Sequence, residues 1–332
     1  MSAGEPKEQV AVLGAGLMGI GIAQVLAAAG HQVRMYDPDP QALASVHERA
    51  APVFEMLEQD PEGLARLQPT GDVGEALAGA DLVIEAGPED VEVKRGIFRQ
   101  ACSLVGPATV LATNTSSIAV GALADPLGKH ARRFLATHFW HPPSLVPLVE
   151  VVPGAQTDPA VVSRTIGVLS DAGMHPVRLS VDVPGFVGNR LQHALKREAI
   201  ALVAAGACDA ETIDAVTRWG FGLRLPVLGP LEQSDLVGLD LTLAIHRQLM
   251  PTLDVTPHAH PLLEKKVAEG KLGMSTGEGF RTWTPQEAAA VRHRVTEHLV
   301  DLARRRAGRS SRAKGPGWSE PSEVAGDEGA AP

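Results

Sequence analysis

Short β-branched runs alternate with longer Ala- and Leu-rich stretches along the first half of the chain. The alternation predicts strands at residues 9–13, 32–36, 82–85, 109–112, 133–139 and 147–152. It predicts helices at residues 17–29, 40–57, 91–104 and 159–172. Strands that alternate with helices in this way form a mostly parallel sheet with helices on both faces. We therefore expect an α/β fold with a doubly wound sheet in this half.

The pattern changes at Val183-Pro184-Gly185, beyond which the strand signal nearly disappears. Helical spacing of apolar positions predicts helices at residues 186–205, 209–219, 231–249 and 261–269, and a charged helix from 284 to about 306. Residues 307–332 are rich in Gly, Ser, Pro, Ala and charges, which is typical of disorder. The predicted organisation is a sheet domain over 1–184, an all-helical domain over 185–306 and a disordered tail over 307–332.

Composition and charge narrow the class of protein. The 332 residues are 44% hydrophobic and 21% charged, as in an ordinary globular protein. The formal net charge of −9 argues against a nucleic-acid-binding surface. No apolar run approaches the ~18 residues of a membrane span, and the first residues lack a secretory signal. Cys102 and Cys208 are far apart, which fits a reducing compartment. We therefore expect a cytoplasmic protein without a metal site.

The first predicted strand runs into a glycine-rich turn. Gly14-Ala-Gly-Leu-Met-Gly19 is a G-x-G-x-x-G sequence that opens the first helix. Gly14 permits the tight turn, Gly16 lets a pyrophosphate approach the backbone, and Gly19 allows close helix–strand packing. The second strand ends in Asp37, whose carboxylate can accept hydrogen bonds from the adenosine ribose hydroxyls. Residues 38–40 contain no Arg or Lys to balance a 2′-phosphate. The pattern predicts a Rossmann-type domain that binds NAD rather than NADP.

A histidine and a glutamate lie on two neighbouring predicted strands, at residues 133–140 and 147–153. If these strands pair as a hairpin centred on Ser144, His138 lies opposite Glu150. A carboxylate beside an imidazole fixes its tautomer and stabilises its charged form, which makes a general base competent near neutral pH. The alternatives are a structural histidine beside a surface acid, or His141 as the base.

Two further polar segments adjoin the predicted site. Asn114-Thr-Ser-Ser117 follows the strand at 109–112, at the sheet edge where ligands bind in such folds. Its amide and hydroxyls could contact a nicotinamide or a substrate oxygen, or could cap the next helix. Asn189 lies in the first turn of the first helix of the second half. Its amide could meet a substrate carbonyl or serve a structural purpose.

Taken together, these segments resemble the 3-hydroxyacyl-CoA dehydrogenase family over about residues 8–285 and in the same order. The matching sequences are Gly14-Ala-Gly-Leu-Met-Gly19, Asp81-Leu-Val-Ile-Glu-Ala86, Asn114-Thr-Ser-Ser117, His138-Phe-Trp-His-Pro142, Leu148-Val-Glu-Val-Val152, Pro184-Gly-Phe-Val-Gly-Asn-Arg190, Gly229-Pro230, Asp235-Leu-Val-Gly-Leu-Asp240 and Gly270-Lys-Leu-Gly-Met-Ser-Thr-Gly-Glu-Gly-Phe280. The resemblance implies an NAD-dependent oxidoreductase that oxidises the 3-hydroxyl of a 3-hydroxyacyl-CoA to a ketone. It also implies a homodimer formed through the helical domain.

The resemblance also implies a role for each matching residue. His138 would be the base that takes the proton of the 3-hydroxyl, and Glu150 would orient it. Ser116 would hydrogen-bond the substrate oxygen, and Asn189 matches the active-site asparagine of the helical domain. The cofactor contacts implied are Gly14, Gly16, Leu17, Met18, Gly19, Asp37, Glu89, Lys94 and Asn114.

Several positions depart from the family pattern. His141 stands where the family usually has Asn. Segment 38–70 is basic in fatty-acyl members, where it binds the phosphates of CoA, but here it holds six acids and two arginines, namely Asp39, Glu48, Glu55, Glu58, Asp60, Glu62, Arg49 and Arg66. Pro142-Pro143 and residues 283–286 resemble the branch that acts on free L-gulonate, carnitine or pyridine-ring alcohols. The alternative prediction is therefore the same hydride chemistry on a small substrate without CoA. A non-catalytic NAD-binding protein is less favoured.

Overall fold

The computed structural model describes residues 7–310 of the 332-residue chain. Within that range the strands of one sheet are β1 (Gln9–Leu13), β2 (Gln32–Tyr36), β3 (Leu67–Thr70), β4 (Leu82–Glu85), β5 (Val110–Thr113), β6 (Phe134–Phe139), β7 (Leu148–Pro153) and β8 (His175–Arg178). They are ordered β3-β2-β1-β4-β5-β6-β7-β8. The first six strands are parallel, whereas β7 is antiparallel to β6 and β8 runs parallel to β7. The Rossmann-type architecture predicted from the pattern is confirmed.

Helices cover both faces of this sheet. They are α1 (Leu17–Ala28), α2 (Pro40–Ala44), α3 (Val46–Met56), α4 (Glu62–Ala65), α5 (Val73–Leu77), α6 (Val91–Leu104), α7 (Val120–Ala124) and α8 (Pro159–Asp171). Val10 and Val12 of β1 belong to one buried apolar cluster, and Ala11 and Leu13 belong to a second. Because side chains alternate along a strand, the two clusters lie on opposite faces of the sheet. The sheet is therefore buried on both sides.

Two strands are absent from the pattern-based prediction, and both lie at the edges of the sheet. β3 and β8 have four residues each and contain Pro69 and Pro176. Proline lacks the N–H of a ladder hydrogen bond and is tolerated at an edge, so such segments do not look like strands in the sequence. The predicted helix over 40–57 is divided at Ser45 into α2 and α3.

The second half of the described chain is helical. Its helices are α9 (Gly188–Ala204), α10 (Ala210–Trp219), α11 (Pro230–Val237), α12 (Leu239–Leu249), α13 (Pro261–Ala268) and α14 (Pro285–Ser310). The predicted helix over 231–249 is divided at Gly238, whose φ of 99° lies outside helical geometry. No residue in the described helices α9–α13 is buried. Many of their large apolar side chains are exposed, and others are half-buried.

Helix α14 connects the helical half with the sheet domain. Ala288 near its start and Ala303 near its end are both buried. Arg304 donates to the Met56 carbonyl oxygen from Nε at 3.2 Å and from Nη2 at 2.8 Å, and its Nη1 lies 3.1 Å from Glu58. Arg304 thus joins α14 to the end of α3. The helix passes the predicted limit at 306, and the remainder of the predicted disordered tail, 311–332, lies outside the described residues.

Candidate functional site

The glycine-rich turn has the geometry that a pyrophosphate requires. Gly14 has φ +118°, and a Cβ there would lie 2.6 Å from the Ala86 carbonyl oxygen. A Cβ on Gly19 would lie 1.8 Å from the Gly14 oxygen, so neither position accepts a side chain. Gly16 has no atom within 4 Å of an added Cβ, so the space above it is open. The first turn of α1 contains no acid, and no side chain caps its N-cap residue Gly16, so this helix start suits an anion.

The predicted ribose acceptor adjoins this turn. Asp37 follows β2, is half-buried, and accepts a hydrogen bond from Ala15 N to Oδ2 at 2.7 Å. Leu17 is 70% exposed at the start of α1 and Met18 is half-buried behind it. Arg49, which the sequence did not predict at this site, donates from Nη1 to the Ala15 oxygen at 3.2 Å. The residues present at this sheet edge therefore fit a dinucleotide.

Lys94 and Glu89 lie beneath the cofactor edge of the sheet. Lys94 is 1% exposed, and its Nζ lies 2.7 Å from Glu85 and 3.5 Å from Glu89. Glu85 itself accepts a hydrogen bond from Thr113 at 2.7 Å. The ammonium of Lys94 thus neutralises a buried carboxylate. As cofactor contacts, Lys94 and Glu89 remain predictions.

The loop after β5 is built around the Glu89 carboxylate. Its Oε1 accepts hydrogen bonds from Thr115 Oγ1, from the backbone N–H groups of Ser116 and Ser117, and from Ser117 Oγ. Burial is the largest single influence on the pKa of Glu89 and raises it. The hydrogen bonds from residues 115–117 and the charge of Lys94 together lower the pKa below its ordinary value of 4.5. An ionised Glu89 therefore holds this loop, while the Ser116 side chain stays exposed.

The predicted pairing of the histidine and the glutamate is confirmed. His138 on β6 is directly opposite Glu150 on β7, in the register of the antiparallel pair. His138 Nδ1 donates to Glu150 Oε2 at 2.8 Å, and both residues are buried. A bond at Nδ1 leaves Nε2 of the neutral imidazole as the nitrogen that can accept a proton. Asn114 joins the loop after β5 to strand β6, because its Oδ1 accepts the N–H of Phe139 at 2.9 Å.

Glu150 also binds the helix that carries Asn189. Its Oε1 accepts the backbone N–H groups of Val187 at 2.9 Å and Gly188 at 3.0 Å, at the beginning of α9. Burial is the largest influence on the pKa of Glu150 and raises it, but four hydrogen bonds outweigh burial and lower the pKa below 4.5. The carboxylate is therefore ionised, and it links His138 to the first turn of the helical domain. Asn189 follows in that turn and is half-buried.

Two residues beside His138 differ in exposure. Trp140 is half-buried, and its Nε1 donates to Glu150 Oε2 at 3.3 Å. His141 is an exposed residue of the turn after β6. Unlike His138, it has no carboxylate partner among the described residues.

Among residues 7–310, no three His, Cys, Asp or Glu side chains form a group that could hold a metal ion. In the same range no helix is long and apolar enough to cross a membrane.

Comparison with known proteins matches both halves of the chain. A model described as the NAD binding domain of 3-hydroxyacyl-CoA dehydrogenase matches residues 9–183. A model described as the C-terminal domain of the same family matches residues 185–283. Together they account for both the sheet domain and most of the helical part.

Individual relatives support the same assignment. The 5-formyl-3-hydroxy-2-methylpyridine 4-carboxylate 5-dehydrogenase of Mesorhizobium japonicum is 34% identical over 304 residues, which are 89% of this chain and 97% of that protein. A solved structure of a dehydrogenase of this pyridine carboxylic acid, described as an NAD⁺ dependent dismutase, has a TM-score of 0.84 at 33% identity, covering 91% of this chain and 99% of its own. The structure of the (S)-3-hydroxybutyryl-CoA dehydrogenase of Ralstonia eutropha has a TM-score of 0.68 at 30% identity, and the match covers 84% of this chain and 100% of its own. The chain is therefore an NAD-dependent oxidoreductase of the 3-hydroxyacyl-CoA dehydrogenase family.

Proposed function

We propose that this protein oxidises the secondary hydroxyl of a small hydroxy acid or alcohol that carries no CoA, with His138 as the general base. Bound NAD would supply the hydride acceptor. Its pyrophosphate would lie over Gly16 and its adenosine ribose at Asp37. The observation that carries the choice of substrate class is the docking of α14 on the acidic segment 38–70.

The catalytic proposal follows from the hydrogen bonds around His138. Nδ1 is held by Glu150, so Nε2 takes the proton of the substrate hydroxyl. The ionised Glu150 then stabilises the imidazolium that forms. Ser116 is exposed on a loop fixed by Glu89, from which its hydroxyl can donate to the substrate oxygen. Asn189, held beside the same carboxylate by the start of α9, is proposed as a further contact for the substrate.

The segment that would bind CoA holds only two arginines in this chain, and each already contacts a group of the protein. Of its two arginines, Arg49 donates to Ala15 and Arg66 donates to the Ala27 oxygen at 3.3 Å while pairing with Glu62 at 3.7 Å. A nucleotide with a 3′-phosphate is bound most strongly by paired cationic donors. The six acids of 38–70 would instead repel it.

Helix α14 occupies part of the same surface. The guanidinium of Arg304 binds the Met56 carbonyl at the end of α3 and the Glu58 carboxylate next to it. The acidic segment therefore already contacts a cation of the chain itself. A substrate without a nucleotide would need neither this surface nor the displacement of the helix.

The relatives are consistent with this choice. The structure of the pyridine carboxylate dehydrogenase, whose name contains no CoA, has the TM-score of 0.84, against 0.70 for the 3-hydroxybutyryl-CoA dehydrogenase of Escherichia coli K12 and 0.68 for that of Ralstonia eutropha. It also covers 91% of this chain, against 84%. This similarity favours a small carboxylate-bearing substrate.

A substrate panel tests the proposal directly. NAD reduction is measured with L-gulonate, carnitine, pyridine-ring alcohols and (S)-3-hydroxybutyryl-CoA at equal concentrations, and NADH oxidation with acetoacetyl-CoA. We expect turnover with at least one free substrate, reduced by about 10²–10⁴-fold in His138→Gln. The same loss in His141→Gln with a normal His138→Gln would assign the base to His141.

The second candidate is oxidation of a 3-hydroxyacyl-CoA, which the family's name and both family models favour. Strict dependence of turnover on the CoA moiety would establish this candidate and remove our choice. Turnover of free acids with none of the thioesters would remove the second candidate instead.

We also propose that residues 1–184 bind NAD and that residues 185–306 form the substrate and dimer surface of a homodimer. Six leucines of α11 and α12 are at least half-exposed, namely Leu231, Leu236, Leu239, Leu241, Leu243 and Leu249. Large exposed apolar surface is typical of a protein interface. Light scattering after size exclusion should give twice the 34.8 kDa mass of the chain. A monomeric mass at micromolar concentration would contradict the dimer.

A further inference from the structure

Trp140 bridges the catalytic strand pair and the first turn of the helical domain. Its Nε1 donates to Glu150 Oε2, the same oxygen that accepts His138 Nδ1. Its ring centroid lies 5.9 Å from that of His138. On the other side, a Cβ added to Gly188 would lie 2.3 Å from Trp140 Cζ2, so the indole lies against the Cα of Gly188. One side chain thus contacts the base, its carboxylate and the helix of Asn189.

We propose that Trp140 is a positioning residue for the hydride-transfer reaction, acting through Glu150. The inference rests on the proposed role of His138 as the base. Two donors, His138 Nδ1 and Trp140 Nε1, converge on Oε2, while Val187 and Gly188 hold Oε1. The indole N–H therefore completes the set of donors that fixes the plane of the carboxylate. A carboxylate free to rotate would let the imidazole leave its catalytic orientation.

The indole ring has a second effect that its N–H does not provide. Because it lies against Gly188, the ring sets the distance between β6 and the start of α9. Gly188 is the residue that allows this approach, since any side chain there would displace the indole. The Trp140–Gly188 contact would consequently set the position of Asn189 relative to His138.

A measurement without substrate tests the contact. The full-length protein is labelled with 5-fluorotryptophan, which replaces its four tryptophans, and the ¹⁹F resonance of Trp140 is assigned from Trp140→Phe. We expect this resonance to move by more than its linewidth in His138→Gln and in Gly188→Ala. Gly167→Ala on α8, where an added Cβ meets nothing within 4 Å, is the matched control and should leave it unchanged. If the Trp140 resonance moves in neither His138→Gln nor Gly188→Ala, the proposal is overturned.

A double-mutant cycle tests the effect on the reaction, with the best substrate of the panel. Trp140→Phe keeps a ring but loses the N–H, and should lower kcat by about 3–10-fold. Trp140→Leu and Gly188→Ala should each lower kcat by roughly 10–30-fold, with the Kd for NADH within about twofold of the wild type. The double variant should be no worse than Trp140→Leu alone, because the smaller side chain leaves room for the new methyl group.

The ¹⁹F measurement and the double-mutant cycle together distinguish a failure of this inference from a failure of the proposed function. Multiplicative losses in the double variant, or losses expressed only as weaker NADH binding, would show that Trp140 does not act through the Gly188 contact. Gly167→Ala, the control of the ¹⁹F measurement, should keep kcat unchanged. If the wild type turns over no substrate of the panel, the proposed function fails. The ¹⁹F measurement still decides whether the indole senses the His138–Glu150 pair.

Discussion

Replacing Glu150 by glutamine tests how the site is held together, because all four of its partners donate hydrogen bonds. The donors are His138 Nδ1 at 2.8 Å, Trp140 Nε1 at 3.3 Å, Val187 N at 2.9 Å and Gly188 N at 3.0 Å. A glutamine has the volume of glutamate but only one acceptor oxygen, and its NH₂ is itself a donor. Two of the four donors must therefore face the NH₂ group, which cannot accept their hydrogen bonds.

The amide has two orientations, and they differ in cost. With its nitrogen toward Val187 and Gly188, two buried backbone N–H groups lose their acceptor, at about 1–3 kcal/mol each. With its nitrogen toward β6, His138 can change tautomer and accept at Nδ1, so that only the Trp140 N–H is left unsatisfied. The second orientation is the cheaper one. It places the proton on Nε2, which then cannot take a proton from substrate.

We therefore expect Glu150→Gln to lower kcat by about 10²–10⁴-fold, as the loss of a tautomer-fixing carboxylate does elsewhere. The free energy of unfolding should fall by about 1–3 kcal/mol, from one unsatisfied N–H and the lost charge-assisted bonds. NADH binding should remain, because the glycine turn and Asp37 are not touched. The assays are steady-state kinetics, urea unfolding and titration of NADH fluorescence.

The control is Glu92→Gln, which removes an exposed ion pair with Arg95 and should change stability by less than about 1 kcal/mol. A kcat of Glu150→Gln within threefold of the wild type would refute the tautomer argument. A loss of NADH binding equal to the loss of kcat would show that Glu150 supports the whole domain rather than the base.

Further predictions concern the cofactor edge. Asp37→Asn should raise the Kd for NADH about tenfold, since it removes a charged acceptor from the ribose, and an unchanged Kd would contradict that contact. Lys94→Met leaves the Glu85 carboxylate buried without its ammonium partner, and should lower the free energy of unfolding by about 3–5 kcal/mol in urea, whereas a loss below about 1 kcal/mol would contradict a stabilising Lys94–Glu85 pair. The pKa of Glu89 is lowered from 4.5, so its stabilisation is complete above that value and is lost as pH falls through the folded-state pKa. Unfolding measured between about pH 6 and pH 3.5 should therefore vary less in Glu89→Gln than in the wild type; an equal pH dependence would contradict this.

The parts of the site that the sequence predicted are those built from neighbouring segments. Gly14, Gly16 and Gly19 lie within one strand–turn–helix unit, where spacing and backbone sterics determine geometry. His138 and Glu150 lie on consecutive strands joined by a short turn, so the turn centre alone sets which residues pair. These predictions needed no knowledge of distant packing.

The predictions that sequence could not reach depend on groups far apart in the chain. Glu89 and Lys94 were assigned to the cofactor by resemblance, but their hydrogen bonds go to Glu85 and to the loop of Ser116. Which buried charge faces which is decided when α6, β4, β5 and the loop after β5 pack together. The proline-containing edge strands β3 and β8 were not predicted for a different reason. Their strand conformation depends on pairing with a neighbouring strand rather than on their own composition.

The sequence by itself determined the class of sheet, the nucleotide-binding turn and the pairing of His138 with Glu150, because periodicity, glycine sterics and strand register act over short distances. Only the tertiary structure decided that the second oxygen of Glu150 binds the start of α9, that Trp140 lies against Gly188, and that Arg304 of α14 binds the Met56 carbonyl. These contacts join segments separated by tens to hundreds of residues. No local pattern encodes them, since they arise from the mutual packing of surfaces that exist only after both domains have folded.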